Sequence, residues 1–281
     1  MSSIFENFLN EISQPKNARP GDYQEDGVLY CGKCKTPRQA WVDWIPDENG
    51  NVEKRLVPVM CACDVEAEEK EKDRKAQQRF DESMSHVSLA LHTMRDEVQG
   101  IFANDDTPSA DISKTARKYV DRWTDMKEKN IGIIFYGSKG TGKTFYASCI
   151  YNELVSRRVL CGFTSVPNLM NALSAWDKTE IYDVIARVKL LVLDDFGAER
   201  DTSYGLELMY SVIDARYKTR LPTIITTNLD YAEMDREQDI MKARLYDRIR
   251  EMCAINLKMA GESKRRAIAD ERRRLARELL R

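Results

Sequence analysis

Ile131-Gly-Ile-Ile-Phe-Tyr-Gly-Ser-Lys-Gly-Thr-Gly-Lys-Thr144 decides the fold. Ile131-Gly-Ile-Ile-Phe-Tyr136 is an apolar run that predicts a buried strand. It runs straight into Gly137-x-x-x-x-Gly142-Lys143-Thr144, the spacing of a phosphate-binding loop. The glycines let the backbone of Gly137, Ser138, Lys139, Gly140, Thr141 and Gly142 wrap tightly, so that successive N–H groups face phosphate oxygens. Lys143 adds a positive charge for the outer phosphates, and the Thr144 hydroxyl is placed to ligate Mg²⁺. The helix-forming segment behind it, 145–156, aims its positive dipole end at the same anion. A glycine-rich turn between strand and helix is the plainer alternative, but it does not account for Lys-Thr at that register.

Lys189 to Asp195 (KLLVLDD) predicts a second apolar strand, ending in two carboxylates. A strand that ends in a carboxylate beside a phosphate loop holds Mg²⁺, usually through water, and Asp194 is that residue. Asp195 follows where a carboxylate polarises an attacking water. Many such ATPases carry Glu there; Asp is one methylene shorter, which implies slow or assembly-dependent hydrolysis. Glu199 is a second candidate for that base, and a strand-end turn is the plain alternative for Asp-Asp. Pro222 to Asn228 (PTIITTN) predicts another buried strand, whose Asn228 is positioned to hydrogen-bond the water or the γ-phosphate. Asn at a strand end is also a common turn former. Arg244 and Arg248 lie four apart on a predicted helix, 237–250, and share a face. That face reads either as solvated surface or as an arginine finger for a neighbouring subunit's γ-phosphate.

The remaining elements alternate. A strand is expected over 159–164, helix over most of 167–188 with a break near Asp177, helix over 206–218 and a last strand over 252–258. A helix over 114–127 leads into the opening strand, after a loop over 100–113. Continuous apolar strands between helices predict a parallel sheet covered on both faces, an α/β fold.

Upstream lies a cysteine constellation. Cys31-Gly-Lys-Cys34 is followed, beyond a hairpin turn at Asp47-Glu-Asn-Gly50, by Cys61-Ala-Cys63. Two separated pairs can set four thiolates around Zn²⁺ and staple a segment too small to hold a core. The second pair, C-x-C, is tighter than the usual C-x-x-C; four reduced, unligated thiols are the alternative. His86 and His92 lie outside the set and read as surface or packing residues. From Asp64 to about Arg79 the chain is densely charged without Gly or Pro, a solvated helix with i,i+4 pairs such as Glu68–Lys72 and Glu71–Lys75. Before the cysteines, Ile4, Phe5, Phe8, Leu9 and Ile12 stand at helical spacing, either packed on their own domain or docking a partner, and 14–27 reads as a linker.

The chain has 281 residues, a formal charge of −2 and seven cysteines. The balance carries no global nucleic-acid signal, although 264–281 holds eight Lys/Arg against three Asp/Glu. No apolar run reaches the length of a membrane span and no signal-peptide core opens the chain, so a cytoplasmic protein is expected.

GSKGTGKT, KLLVLDDFGAER, PTIITTNL, ARLYDRI and GESKR (Gly261 to Arg265) occur in that order. Over about 114–266 the chain resembles the AAA+ ATPases of the DnaC type, the replicative helicase loaders, and their IstB-type transposition-helper relatives. The resemblance implies a P-loop (AAA+/ASCE) sheet with the TTN strand between the loop strand and the acidic strand. It implies Arg248 as the arginine acting in trans, with Arg244 in support, and single-stranded DNA contacts in the 167–188 segment, for which Lys178 and Arg187 are candidates. It also implies a zinc-binding N-terminal module that helps hold a replicative helicase.

The expected organisation is an N-terminal helix and linker (1–27), a zinc-binding module (28–65), a charged helical linker (66–112), the ATPase domain (113–266) and a charged C-terminal helix (267–281). The expected cofactors are ATP, Mg²⁺ and Zn²⁺. The expected activity is slow ATP hydrolysis that switches assembly on a ring helicase and single-stranded DNA, with self-association through the ATPase domain. A transposition helper on duplex DNA and a zinc adaptor with little turnover are the rivals.

Overall fold

The computed structural model describes residues 18–44, 52–93, 98–107, 109–175, 178–197, 203–261 and 263–280, with backbone only at 175 and 264–268. The predicted helix at Ile4–Ile12, the turn at Asp47–Gly50, the break at Asp177, and Glu199 and Glu262 lie outside the described residues. The chain forms two compact units, Met1–Gln78 and Arg79–Arg281.

Among its described residues, the first unit holds two small antiparallel ladders and the start of a helix. β1 (Tyr23–Glu25) pairs with β2 (Val28–Tyr30), and β3 (Gln39–Asp43) with β4 (Lys54–Pro58). The Tyr23 and Tyr30 rings, directly opposite in the first ladder, stack at 5.6 Å. Buried Gln39 accepts the Leu29 N–H at 3.0 Å and joins the two ladders. Helix α1 (Ala62–Ala90) starts within the second cysteine pair. It shows the expected pairs, Lys72–Glu68 at 2.6 Å and Lys75–Glu71 at 3.5 Å. It runs past Arg79, where charge density alone ended the prediction. No Gly or Pro stops it, and its final turns carry buried Val87.

The second unit contains a five-stranded parallel sheet. Its strands are β5 (Ile133–Gly137), β6 (Cys161–Ser165), β7 (Leu190–Phe196), β8 (Thr223–Thr227) and β9 (Ile255–Met259), in the order β6-β7-β8-β5-β9. The TTN strand therefore lies between the loop strand and the acidic strand, as the resemblance implies. Side chains alternate across the sheet. Ile133 and Phe135 pack on one face with Ile150 and Leu154, while Ile134 packs on the other with Leu191, Val212 and Ile249.

Helices cover both faces: α2 (Asp111–Asp121), α3 (Trp123–Glu128), α4 (Lys143–Ser156), α5 (Val166–Ala175), α6 (Lys178–Arg187), α7 (Ser203–Thr219), α8 (Tyr231–Asp235) and α9 (Ile240–Met252). The helix predicted at 114–127 is two helices broken at Arg122, whose ψ of 26° leaves the helical region. The loop predicted over 100–113 holds a 3₁₀ turn at Phe102–Asn104 and already enters α2 at Asp111. The charged C-terminal segment is α10 (Lys264–Leu279). Among the described residues no helix is long and apolar enough to cross a membrane.

Candidate nucleotide-binding and metal sites

β5 delivers the phosphate loop at the carboxyl edge of the sheet. Gly137, Gly140 and Gly142 have φ of 121°, 82° and 99°, a region that favours glycine and lets the backbone curl. Two of them also lie against other backbone or side chains. A Cβ at Gly137 would meet the Met259 carbonyl oxygen at 2.4 Å, and one at Gly140 would meet the Ser263 hydroxyl at 2.1 Å. β9 and the segment after it thus close over the loop. Gly142 starts α4 from the left-handed conformation, and the Thr141 hydroxyl donates to the Ser138 carbonyl at 2.9 Å. Ser138 and Lys139 are exposed at the loop's rim.

Lys143 is only 6% exposed. Its ammonium donates to the carbonyls of Gly137 (2.9 Å) and Ser138 (2.8 Å) and to Asn228 Oδ1 (2.9 Å). Thr144 donates to both oxygens of Asp194, at 2.9 and 3.1 Å. Thr226, from β8, donates to the same Asp194 Oδ1 at 2.6 Å and accepts the Asp195 N–H at 3.0 Å. Between Leu193 and Phe196 the β7–β8 register shifts, and Asp195 sits there with φ of 54°. Such a bulge re-aims one residue of a strand. Asp194 is buried at 5% exposure, while Asp195 is exposed.

The chemistry of this donor set fits a Mg²⁺–nucleotide. A buried ammonium lies at the mouth of a loop of permissive backbone, and an alcohol and a carboxylate lie within hydrogen-bonding distance of each other. The structure brings together Lys143 and Thr144 from the first turn of α4, Asp194 and Asp195 from the end of β7, and Asn228 from just past β8. Thr226 was missed by sequence reasoning. Its signal is the TT preceding the asparagine, which in sequence is indistinguishable from ordinary strand.

Arg244 and Arg248 lie on α9 and line a cleft together with Tyr210 and Tyr217 of α7. Arg244 is exposed, whereas Arg248 ion-pairs with Asp214 at 2.6 Å. Lys178 Nζ lies 3.4 Å from the Tyr204 hydroxyl, and Arg187 Nη2 lies 3.4 Å from His86 Nδ1. His86 itself faces Glu180 at 3.0 Å, so it is a surface residue as expected. The side chains of Lys264 and Arg265, from the GESKR stretch, lie outside the described residues.

In the first unit the four cysteine sulfurs gather within 4.8 Å of one another. Cys63 Sγ lies 3.5 Å from Cys31 Sγ and 3.3 Å from Cys61 Sγ. A tetrahedron with Zn–S of about 2.3 Å has edges of about 3.8 Å, so the donor set fits zinc. The short C-x-C spacing suffices because α1 begins at Ala62 and turns Cys63 back toward Cys61. The knuckle is braced from outside. Thr36 accepts the Ala62 N–H at 2.8 Å, and partly buried Arg38 bridges Asp22 (3.0 Å) and Asp64 (3.2 Å). The Thr36 hydroxyl, with the Cys63 and Thr36 N–H groups, holds the Cys34 thiol down to about 5. The other three cysteines, Cys149, Cys161 and Cys253, are buried in the second unit, where desolvation pushes their thiols up.

Comparison with known proteins agrees with this geometry. The family described as "IstB-like ATP binding protein" matches residues 65–271. The replicative helicase loader DnaC of Escherichia coli (strain K12) is 30% identical over 142 residues, 48% of this chain and 55% of that protein. The replicative helicase loader DnaI of Bacillus subtilis (strain 168) is 30% identical over 151 residues, 49% of this chain and 48% of that protein. The chain thus spans about half the length of the curated relatives it matches. A crystal structure of DnaI superposes with a TM-score of 0.52 at 26% identity, over 61% of this chain and 94% of that one. A crystal structure of the DnaC helicase loader gives 0.51 at 22% identity, over 59% and 100%, a likeness of fold.

Proposed function

The chain belongs to the family of IstB-like ATP binding proteins, and from that premise we propose that it is an ATPase that loads or remodels a replicative ring helicase on single-stranded DNA. The observation that carries this reading is the Asp194 carboxylate, shared by Thr144 and Thr226 beside the buried Lys143 ammonium. It supports a site for a triphosphate, and the likeness to helicase loaders supports what that site drives.

In this reading the loop amides and Lys143 bind the phosphates. Thr144 and Asp194 would hold Mg²⁺, which neutralises phosphate charge when bound. Asp195 polarises the attacking water and Asn228 orients it against the γ-phosphate. The chain associates with itself, and Arg248 of one subunit, supported by Arg244, completes the site of its neighbour. ATP binding assembles the complex and slow hydrolysis releases it, a switch between two states. The four cysteines hold structural Zn²⁺ in a module that grips the helicase. Lys178 and Arg187 are the candidates for DNA contact, each already held by a neighbour that DNA would have to displace. The 28–65 module, the 66–112 linker, the 113–266 ATPase domain and the 267–281 helix are the working division.

The test is ATP turnover together with gel filtration in the presence of single-stranded DNA and a bacterial replicative helicase. Stimulated turnover above the Lys143→Ala background and a co-migrating complex are expected; unchanged turnover with no complex would overturn the reading. The family match favours one second reading, a transposition helper. It predicts ATP-dependent assembly on duplex rather than single-stranded DNA. Equal turnover by wild type and Lys143→Ala would instead favour a nucleotide-bound adaptor.

A further inference from the structure

Arg248 occupies a cleft of about 640 Å³ lined by Tyr210, Tyr217, Arg244, Asp247 and Glu251. Its guanidinium carbon lies 4.5 Å from the Tyr210 ring centre and 5.4 Å from that of Tyr217. Its Nη1 lies 2.6 Å from Asp214 Oδ1, in a pair whose side chains are 26% and 21% exposed. Asp214 has a second cation, Lys218, whose Nζ is 2.7 Å from Oδ2. Arg244, one turn earlier on the same face, is exposed. A solvated arginine samples many rotamers, whereas this one lies against two rings and beside a carboxylate on the neighbouring helix, in an ion pair whose Nη1 is not aligned for a hydrogen bond.

We propose that Asp214 is a positioning residue for Arg248: it parks the guanidinium inside its own subunit, and assembly releases it to the triphosphate held by the next subunit. This rests on reading Arg248 as the arginine that acts in trans. The exchange is chemically balanced. The guanidinium trades a single-nitrogen contact with one carboxylate, and two ring faces, for phosphate oxygens that can take its planar fork bidentately. Asp214 retains Lys218, so the arginine leaves no uncompensated carboxylate behind. A pair about a quarter exposed is also weak enough to open. The parking contact is then a threshold that the neighbour's nucleotide must overcome, and it keeps the isolated subunit quiet.

The experiment uses the full chain with the near-isosteric Asp214→Asn, whose amide oxygen still accepts from Lys218. Self-association is followed by sedimentation velocity with Mg²⁺ and a non-hydrolysable ATP analogue, and ATP turnover is followed against protein concentration. Loss of one partly exposed ion pair should lower the assembly midpoint about fivefold. Turnover should reach half its plateau at a correspondingly lower protein concentration, with the plateau per subunit unchanged. Tyr210→Leu, which removes one ring face, should shift the midpoint the same way. Arg248→Ala should abolish the plateau, and adding Asp214→Asn to it should leave the midpoint where Arg248→Ala put it. An unchanged or raised midpoint in Asp214→Asn, a lowered plateau, or the same shift in the Arg248→Ala background would overturn the parking role while leaving the arginine reading intact. If Arg248→Ala turns over like wild type, the reading of Arg248 falls and this inference falls with it.

Discussion

Thr144 donates its hydroxyl to both carboxylate oxygens of Asp194, at 2.9 and 3.1 Å, although the two stand 50 positions apart. Each comes from the end of a different element, the first turn of α4 and the carboxyl end of β7. Their meeting requires β5 and β7 to lie in one sheet with β8 between them. The contact joins an alcohol and a carboxylate, the oxygen ligands that suit a hard divalent cation. Thr144→Ala removes one of them and leaves Asp194 with Thr226. We expect the fold to survive and the Mg²⁺ dependence of nucleotide affinity to suffer, with roughly tenfold more Mg²⁺ needed for half-saturation, the scale of one charge-assisted hydrogen bond. Titration of a fluorescent ATP analogue at several Mg²⁺ concentrations checks this. Equal Mg²⁺ curves for variant and wild type would remove Thr144 from the site.

Gly140 separates two costs that usually come together. Its φ of 82° is strained for any L side chain, and a Cβ there would meet the Ser263 hydroxyl at 2.1 Å. Gly140→Ala should lower nucleotide affinity and cost stability by about 2 kcal/mol or more. Ser263→Gly on top of it removes the collision but not the strained φ. The double variant should therefore recover part of the loss, leaving about 1 kcal/mol in the denaturant midpoint. Full recovery would mean that φ was no constraint, and no recovery would mean that Ser263 does not cover the loop.

Much of this site was legible in the sequence because its chemistry needs rare residue types at fixed spacing. Gly142-Lys143-Thr144 and Asp194 announce themselves, and strict strand and helix alternation orders them. The four cysteines were legible for the same reason. What was hidden depends on three-dimensional neighbours of common type. Thr226 is one more β-branched residue in an apolar strand until β8 lies beside β7. Asp214 is one of many helical acids until α7 packs on α9. Helix ends were misjudged where propensity carried on past the charge pattern, as at Arg79, or where a helix broke without Gly or Pro, as at Arg122.

Asp105 gives a pH signature. Its carboxylate is fully buried. It accepts from the Ser113 hydroxyl at 2.5 Å, the Thr107 N–H at 3.0 Å and the Tyr146 hydroxyl at 3.0 Å, tying the segment before α2 to α4. Burial by itself would push the carboxyl up; hydrogen bonds from Ser113, Thr107 and Tyr146 and the charge of Arg117 outweigh it and hold it below the ordinary range. A carboxyl depressed in the folded state contributes stability above its unfolded value of about 4, and that stability is lost as pH falls through the lower folded value. Asp105→Asn should therefore be less stable than wild type at pH 7 by about 1–3 kcal/mol, with the gap narrowing below about pH 4. Urea midpoints from pH 7 down to acid read it directly. A gap that stays constant with pH would show that the charge is not what matters there.

Among the described residues of Met1–Gln78, the buried apolar side chains are Leu29, Cys31 and Cys61. One leucine cannot offset the conformational entropy of ordering two ladders and a knuckle. Four thiols within 4.8 Å of one another can add that stability when a cation holds them as thiolates. The purified chain should carry about one zinc per molecule, and the Cys31→Ser/Cys34→Ser variant none. Chelation should unfold the cysteine knuckle and its two ladders and expose them to protease, while the nucleotide site, in the other compact unit, still binds ATP. Because each ligand must lose a proton to bind, zinc affinity should fall as pH falls, and zinc loss on acidification should track protease sensitivity. A metal-free wild type that keeps the knuckle and the two ladders protected would sink the zinc assignment. It would leave the cluster to be explained by the Arg38, Asp22 and Asp64 bridges around it.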